Sequence, residues 1–385
     1  MHMKQLCLAA LAATASAQEL NLTAALSSTP DLSNLTTYVS LFPDLLELLG
    51  SATNITIVAP SNDAFAELLA SPEGAAVAAN DTGLVRAVLT YHVLNGTYPA
   101  SSIGDTPTFV PTLLNDPLYA NVTGGQRVEV LTSEDNVEFI SGLRTISTVT
   151  QADVNFTGGV IHIVDSVLVP PQNVSTTAVA ANLTSLAGAL TAADLVSTVD
   201  STPDLTIFAP NNEAFQRIGS ALGDLSTEDL VSILQYHVVA GTVGYSSDLS
   251  NTTLQTLGGG EVTITVAGES VFVNGAKVVT PDVLVANGVV HVIDNVLNPN
   301  ETSAEPDPSA PTQPAAYSGA SSADSVPFTS GVPTPTAALG GADSTQASET
   351  APTGEAAPAE TTGAATRLSP LYAGMAAAIA AVWMM

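Results

Sequence analysis

Apolar positions along the chain follow two periods. Over Val85, Val88, Leu89 and His92, and again over Leu230, Ile233, Leu234 and His237, they fall at i, i+3, i+4 and i+7, the buried stripe of an amphipathic helix. Both helices are therefore expected to end with a histidine on the buried side. Elsewhere the period is two. Val160, His162 and Val164 share one face of a strand, as do Val289, His291 and Ile293, and the residues between them are apolar as well, so both strands are expected to be covered on both sides. Stretches such as Glu261 to Ala267 and Val271 to Val279 alternate between glycine-rich turns and predict further strands. The β-branched runs around Ile57 and Ile207 stop at Ala-Pro, and Ser61 and Asn211 then stand in N-cap position ahead of short helices around 64–70 and 214–218. Ser226 with Glu228 and Asp229 supplies a cap and an acidic first turn to the second histidine-bearing helix, and Asp81 is placed to do the same for the first.

These elements recur in one order. Thr56-Ile57-Val58-Ala59-Pro60-Ser61-Asn62-Asp63-Ala64-Phe65 answers Thr206-Ile207-Phe208-Ala209-Pro210-Asn211-Asn212-Glu213-Ala214-Phe215. Leu89-Thr90-Tyr91-His92-Val93 answers Leu234-Gln235-Tyr236-His237-Val238, and Gly159-Val160-Ile161-His162 through Leu168 answers Gly288-Val289-Val290-His291 through Leu297. Three blocks repeated in register make two copies of one α+β domain, 18–172 and 173–300, joined through Pro170-Pro171-Gln172. The copies differ in length. His92 and His162 are 70 residues apart, His237 and His291 only 54, and the extra length is expected around 99–117.

The ends read as targeting signals. Lys4, the apolar run Leu6 to Ala13 and the small triplet Ala15-Ser16-Ala17 describe a secretory signal peptide over 1–17, too short to span a bilayer. Export agrees with Asn-x-Ser/Thr sequons at Asn21, Asn34, Asn54, Asn80, Asn95, Asn121, Asn155, Asn173, Asn182, Asn251 and Asn300. Beyond residue 300 the composition turns to Ala, Pro, Ser, Thr and Gly, which predicts a disordered, O-glycosylated stalk over 301–363 that would reach on the order of 150 Å when extended. Small residues at Gly363-Ala364-Ala365, a short polar spacer and an apolar end describe a lipid-anchor signal over 364–385, with Gly363 as the attachment residue.

Composition narrows the function classes. Of 385 residues 36 are acidic and 7 basic, and the basic ones are scattered singly, so no patch exists to neutralise nucleic-acid phosphates. The single cysteine, Cys7, lies in the predicted signal peptide, which leaves the exported chain without disulfides, thiolate metal sites or thiol nucleophiles. The paired histidines could suggest a metal site or an acid-base pair, but their phase puts them on apolar faces, and buried, hydrogen-bonded structural histidine is the better reading. Tyr91 and Tyr236, about 100° further round their helices, are expected to be more exposed and available to a partner. No nucleophile elbow, phosphate loop or His-Glu-x-x-His helix is present, so neither enzymatic activity nor a cofactor is expected.

The three blocks resemble the opening, Tyr-His and closing motifs of fasciclin (FAS1) domains, in order and twice. The resemblance implies two wedge-shaped β-sandwiches with several short helices each, and an adhesive role on exported, often lipid-anchored glycoproteins, here in the style of a walled eukaryote such as a fungus. It implies partner-binding segments at Tyr91-His92 and Tyr236-His237, and at Asp153-Val154 and Asp282-Val283 shortly before the closing motif, of which the match at Asp153 is the looser. The partners implied are cell-surface, matrix or wall proteins or glycans, or a second copy, with the chain on the outer face of the plasma membrane, in the wall or on a vacuolar membrane. Two other readings stand beside adhesion: a carrier of a lipid, sterol or pigment in the domain core, and a passive coat protein.

Overall fold

The structure, a computed structural model, describes residues 20–70, 82–223, 225–302, 305–310 and 312–334. The predicted signal peptide, Asn80, Asp81, residues 335–363 of the predicted stalk, Gly363 and the anchor signal lie outside the described residues. Among the described residues no helix is long and apolar enough to cross a membrane.

Each copy is one seven-stranded sheet capped by short helices. The first contains β1 (Ile55–Pro60), β2 (Val93–Asn95), β3 (Thr108–Pro111), β4 (Arg127–Ser133), β5 (Asn136–Ile140), β6 (Ile146–Phe156) and β7 (Gly159–Val164), in the order β2-β1-β7-β6-β5-β4-β3. The second contains β8 (Leu205–Pro210), β9 (Val238–Ala240), β10 (Thr252–Gln255), β11 (Glu261–Ala267), β12 (Ser270–Val273), β13 (Ala276–Val285) and β14 (Gly288–Ile293), in the equivalent order read from the other edge. The repeated opening and closing motifs form the centre: β1 runs parallel to β7 and β8 parallel to β14, with Val58 opposite His162 and Phe208 opposite His291. These strands are buried on both faces, as their nearly continuous apolar runs require.

The closing motif begins with glycine for a steric reason. Gly159 and Gly288 have φ of 153° and 157°, and a Cβ on either would collide with the carbonyl oxygen of Ile55 or Leu205. The sheet folds into two layers at β6 and β13. The first half of β6 pairs with β5 and the second half with β7, with register shifts between Val149 and Val154, and β13 repeats this between Val278 and Val283. The two ends of each folded sheet are then tied together, by Leu113 N–H donating to Val93 O (2.8 Å) and Leu257 N–H to Val238 O (2.7 Å).

The three predicted caps within the described residues form. Ser61, Asn211 and Ser226 accept from the backbone of Ala64, Ala214 and Asp229, and Ser226 and Asp229 complete a reciprocal capping box.

Two expectations need correction. The extra length of the first copy does not centre on 99–117: fifteen residues separate β3 from β4 against five between β10 and β11, so the main insertion is 112–126, with a second, smaller one at the β5–β6 turn over 141–145. Nor is the proline-rich stretch free from residue 301. Residues 305–310 and 312–334 have no helix or strand but lie along the second domain, with Gln313 buried and Tyr317, Ala320, Phe328 and Val332 packed on its core. Composition forbids a core of its own, but not docking on a neighbour's.

Candidate functional site

The Tyr-His pairs close the helices Thr82–Tyr91 and Thr227–Tyr236. Both tyrosines are fully buried, contrary to the exposure expected of them. The folded-back sheet covers the helix ends, and the hydroxyls cross to its far strands: Tyr91 donates to Arg127 O (3.0 Å) and Tyr236 to Glu261 O (2.7 Å). The histidines are held as the helical phase predicts. His92 Nδ1 lies 2.7 Å from Val88 O, a carbonyl that can only accept, so Nδ1 carries the proton and Nε2 accepts from Leu168 N–H at 2.9 Å. His237 repeats this with Ile233 O and Leu297 N–H. Burial lowers both to about 4, so both rings are neutral with both nitrogens occupied. The strand histidines use the opposite tautomer: His162 Nε2 donates to Tyr98 O and His291 Nε2 to Gly244 O, each at 2.8 Å, while Nδ1 accepts from the backbone of Asp153 or Asp282. Rings with both nitrogens engaged offer nothing to a metal, and no cluster of metal-ligating side chains occurs among the described residues.

Asp153 and Asp282 sit in the bulges of β6 and β13 with φ of 57° and 59°. Aspartate tolerates this left-handed backbone better than most residues, and its carboxylate is used locally, Asp153 accepting from Ala100 N–H (3.0 Å) and Asp282 from Ser246 N–H (2.8 Å). Here the copies part. Asp153 and Val154 are half-buried at the surface, whereas Asp282 and Val283 are buried.

Asp282 is buried because the first domain packs over it. Tyr245 stacks on Phe109 with ring centroids 4.2 Å apart and, with Leu284 and Val289, forms a small apolar cluster shared by the domains, with the Arg127 guanidinium 5.6 Å from the Tyr245 ring centre. Both insertions of the first domain reach this seam. Within 112–126, the Asn121 amide donates to Ala286 O (2.6 Å), Gln126 Nε2 to Val285 O (3.0 Å), and Thr123 binds Asp204 through its amide and its hydroxyl. At the smaller insertion Arg144 Nη1 donates to Pro281 O (2.9 Å) and pairs with Glu129 at 3.3 Å. Burial pushes the Glu129 carboxyl up to about 7; Arg144 pulls it down and Asp282 adds to the rise. The linker is fixed from both sides, by Gly142 N–H on Val169 O (2.9 Å) and Ala286 N–H on Gln172 O (2.7 Å).

Of the sequon asparagines, Asn21, Asn54, Asn95, Asn155, Asn182, Asn251 and Asn300 are exposed, and Asn34, Asn121 and Asn173 half-buried. Two apolar cavities in the first domain, one walled by Leu35, Tyr38, Phe65 and Val88 and one by Leu22, Val39 and Ile57, measure about 30 and 20 Å³, space for a water molecule rather than a lipid.

Comparison with known proteins places this geometry. The Fasciclin domain profile matches residues 30–170 and 181–299. A fasciclin-like arabinogalactan protein of Arthroderma benhamiae is 38% identical over 315 residues, covering 82% of this chain and 75% of that protein. The fasciclin-like arabinogalactan protein elcF of Phaeosphaeria nodorum is 32% identical over 279 residues, covering 72% and 88%. The transforming growth factor-beta-induced protein ig-h3 of Sus scrofa is 27% identical over 255 residues, 64% of this chain and 35% of that protein. A solved FAS1 domain pair from the insect cell adhesion molecule fasciclin I is 22% identical with a TM-score of 0.33, covering 69% of this chain and 96% of that one.

Proposed function

The chain belongs to the fasciclin family, with two tandem copies of its domain, and from that premise we propose that it is a non-catalytic surface glycoprotein that mediates adhesion to cell-surface, matrix or wall components. It is exported, N-glycosylated at exposed sequons and held to the outer membrane face by a lipid at Gly363, or to the wall. The observation that carries the contact surface is the difference between the two bulge aspartates: Asp153 is half-buried at the surface beside Val154, which packs partly on the first core, whereas Asp282 is covered by the seam and Val283 lies in the second domain's own core. The first domain thus presents the contact. Tyr91-His92 and Tyr236-His237 serve it from beneath, by fixing the helix ends against the sheets. A surface of this acidity favours a partner with basic or hydrogen-bonding groups.

The test is adhesion of beads coated with glycosylated residues 18–334 to cells and to matrix or wall material. Wild-type beads are expected to adhere, and beads carrying Asp153→Asn with Val154→Ser, shown to be folded, to lose that adhesion. Wild-type beads that adhere no better than beads coated with an unrelated acidic glycoprotein would overturn the reading and leave the passive coat in its place.

A further inference from the structure

The helices of the second domain carry a groove that the first domain lacks. The repeats align through one shared contact, Asn62 Oδ1 accepting from Asn34 N–H in the first domain and Asn212 Oδ1 from Ser185 N–H in the second. Counting on from it, Thr37 and Tyr38 of the first copy correspond to Gly188 and Ala189 of the second. Tyr38 is buried and lies against Phe65, ring centroids 5.2 Å apart. The second domain has Phe215 in the place of Phe65, but no ring of its own to cover it. The covering ring comes from the proline-rich stretch: Phe328 meets Phe215 edge-on with centroids 6.1 Å apart, and its backbone lies so close to Gly188 that any Cβ there would collide with it. Gly219 likewise admits Ala323, where a Cβ would clash.

Polar groups fix the register of this stretch. Ala323 N–H donates to Gln216 O (2.9 Å) and Ser321 N–H to Ser220 Oγ (2.8 Å), while Ser220 N–H donates to Ser321 O (3.0 Å), a short ladder of backbone-level contacts. The Ser185 hydroxyl donates to Pro327 O (2.8 Å), and Asn298 Nδ2 to Ala316 O (3.0 Å). The repeated closing-motif aspartate joins in: Asp294 braces Lys277 N–H, as Asp165 braces Thr148 N–H in the first domain, but its second oxygen faces Gln313 N–H at 3.5 Å. Small residues where a peptide backbone must approach, apolar seats for the Tyr317 and Phe328 rings and polar groups spaced along an irregular chain that turns at 317–320 together describe a peptide-recognition site.

We propose that the helical face of the second domain is a peptide-docking groove whose resident is the chain's own segment 313–328, anchored by Phe328 in the notch at Gly188. The ligand chemistry is a proline-punctuated peptide without helix or strand, turning at 317–320, with a single acidic residue, Asp324, and an aromatic anchor. The folded body therefore extends to residue 334, and any spacer begins no earlier than residue 335.

The experiment is amide hydrogen exchange on the full chain, wild type, Phe328→Ala and Gly188→Val, with binding of a synthetic peptide of residues 312–334 measured on each. In the wild type the amides of Ser321 and Ala323 are expected to exchange at least about tenfold more slowly than in the free peptide, and in both variants at the free-peptide rate, with β14 still protected in all three. The peptide is expected to bind the Phe328→Ala chain, whose groove is intact and vacated, and to bind the Gly188→Val chain at least about tenfold more weakly. Free-peptide exchange in the wild type, or equal peptide binding by the two variants, overturns the proposal. Protection that rises with protein concentration alongside a dimer in solution also overturns it, by assigning the occupant to a second copy.

Discussion

The two domains share a frame of hydrogen bonds and differ in what each borrows from outside itself. Each has the glycine at the start of its closing strand, the buried Tyr-His pair, the strand histidine on a loop carbonyl and the aspartate in a bulge. The first domain fills its helical face with Tyr38 and spends its extra length, 112–126 and 141–145, on reaching over its neighbour. The second takes a ring from beyond residue 312 and buries its bulge aspartate, Asp282, under the first. Duplication thus conserved what closes each sheet, while surface positions diverged into a seam on one side and a strap on the other.

The frame is where a single change has the largest effect, and it predicts symmetry. Gly159→Val and Gly288→Val each force a left-handed backbone and a clash with a carbonyl oxygen, so each is expected to cost on the order of 4 kcal/mol or to unfold its domain. Thermal unfolding of the pair checks this; a mild effect at one site alone would break the equivalence of the copies.

The seam predicts asymmetry. Arg144→Ala leaves Glu129 and Pro281 O without their partner beside the buried Asp282, and removal of one member of a buried ion pair costs roughly 3 kcal/mol. That loss is expected to separate the domains rather than unfold either, seen as a larger radius of gyration with both circular-dichroism melts retained. No equivalent exists at the matching turn of the second domain, where β12 and β13 are joined by two residues.

A pH series sharpens the same comparison. The Glu129 carboxyl is raised to about 7 from an ordinary value of 4.5, so between those pH values the docked form holds a proton that the undocked form has lost. Docking is therefore expected to weaken as pH rises from about 4.5 to 7, by at most about 3 kcal/mol, and to level off on either side of that window, where both forms hold the same number of protons on Glu129. His92 and His237, lowered to about 4, act with the opposite sign: they stay neutral in the fold while the unfolded chain takes up protons below about 6.5, so domain stability falls as the solution is acidified. The informative quantity is the difference between wild type and Glu129→Gln. If radius of gyration against pH is the same for both, the seam carbon chain matters and its charge does not.

These contrasts also show what the sequence made legible. Period and repeat placed the strands, the caps and the four buried histidines, because each of those is decided by neighbours a few residues away. Tyr91 and Tyr236 were misjudged because a helical wheel knows only its own helix, whereas a sheet that folds back at a bulge covers a second face. The difference in spacing between the paired histidines announced an insertion without locating it, since 112–126 has no period of its own. Docking of the proline-rich stretch had one overlooked signal: Gly188-Ala189 stands where Thr37-Tyr38 stands in the first copy, a ring missing from one repeat.

The smallest expected effect has the opposite sign and tests how well the seam is fitted. Tyr245 is buried with its ring stacked on Phe109 and facing the Arg127 guanidinium, yet its hydroxyl has no hydrogen-bond partner among the described residues. The ring contacts belong to the seam and survive substitution by phenylalanine, whereas a buried hydroxyl without an acceptor costs roughly 1 kcal/mol or more. Tyr245→Phe is therefore expected to leave docking unchanged or to strengthen it by up to about 1 kcal/mol, while Tyr245→Ala removes the stacking and weakens it. The two substitutions separate ring from hydroxyl in one urea-dependence measurement of the radius of gyration. A loss on Tyr245→Phe as large as that on Tyr245→Ala would mean that the hydroxyl, not the aromatic stack, holds the second domain under the first.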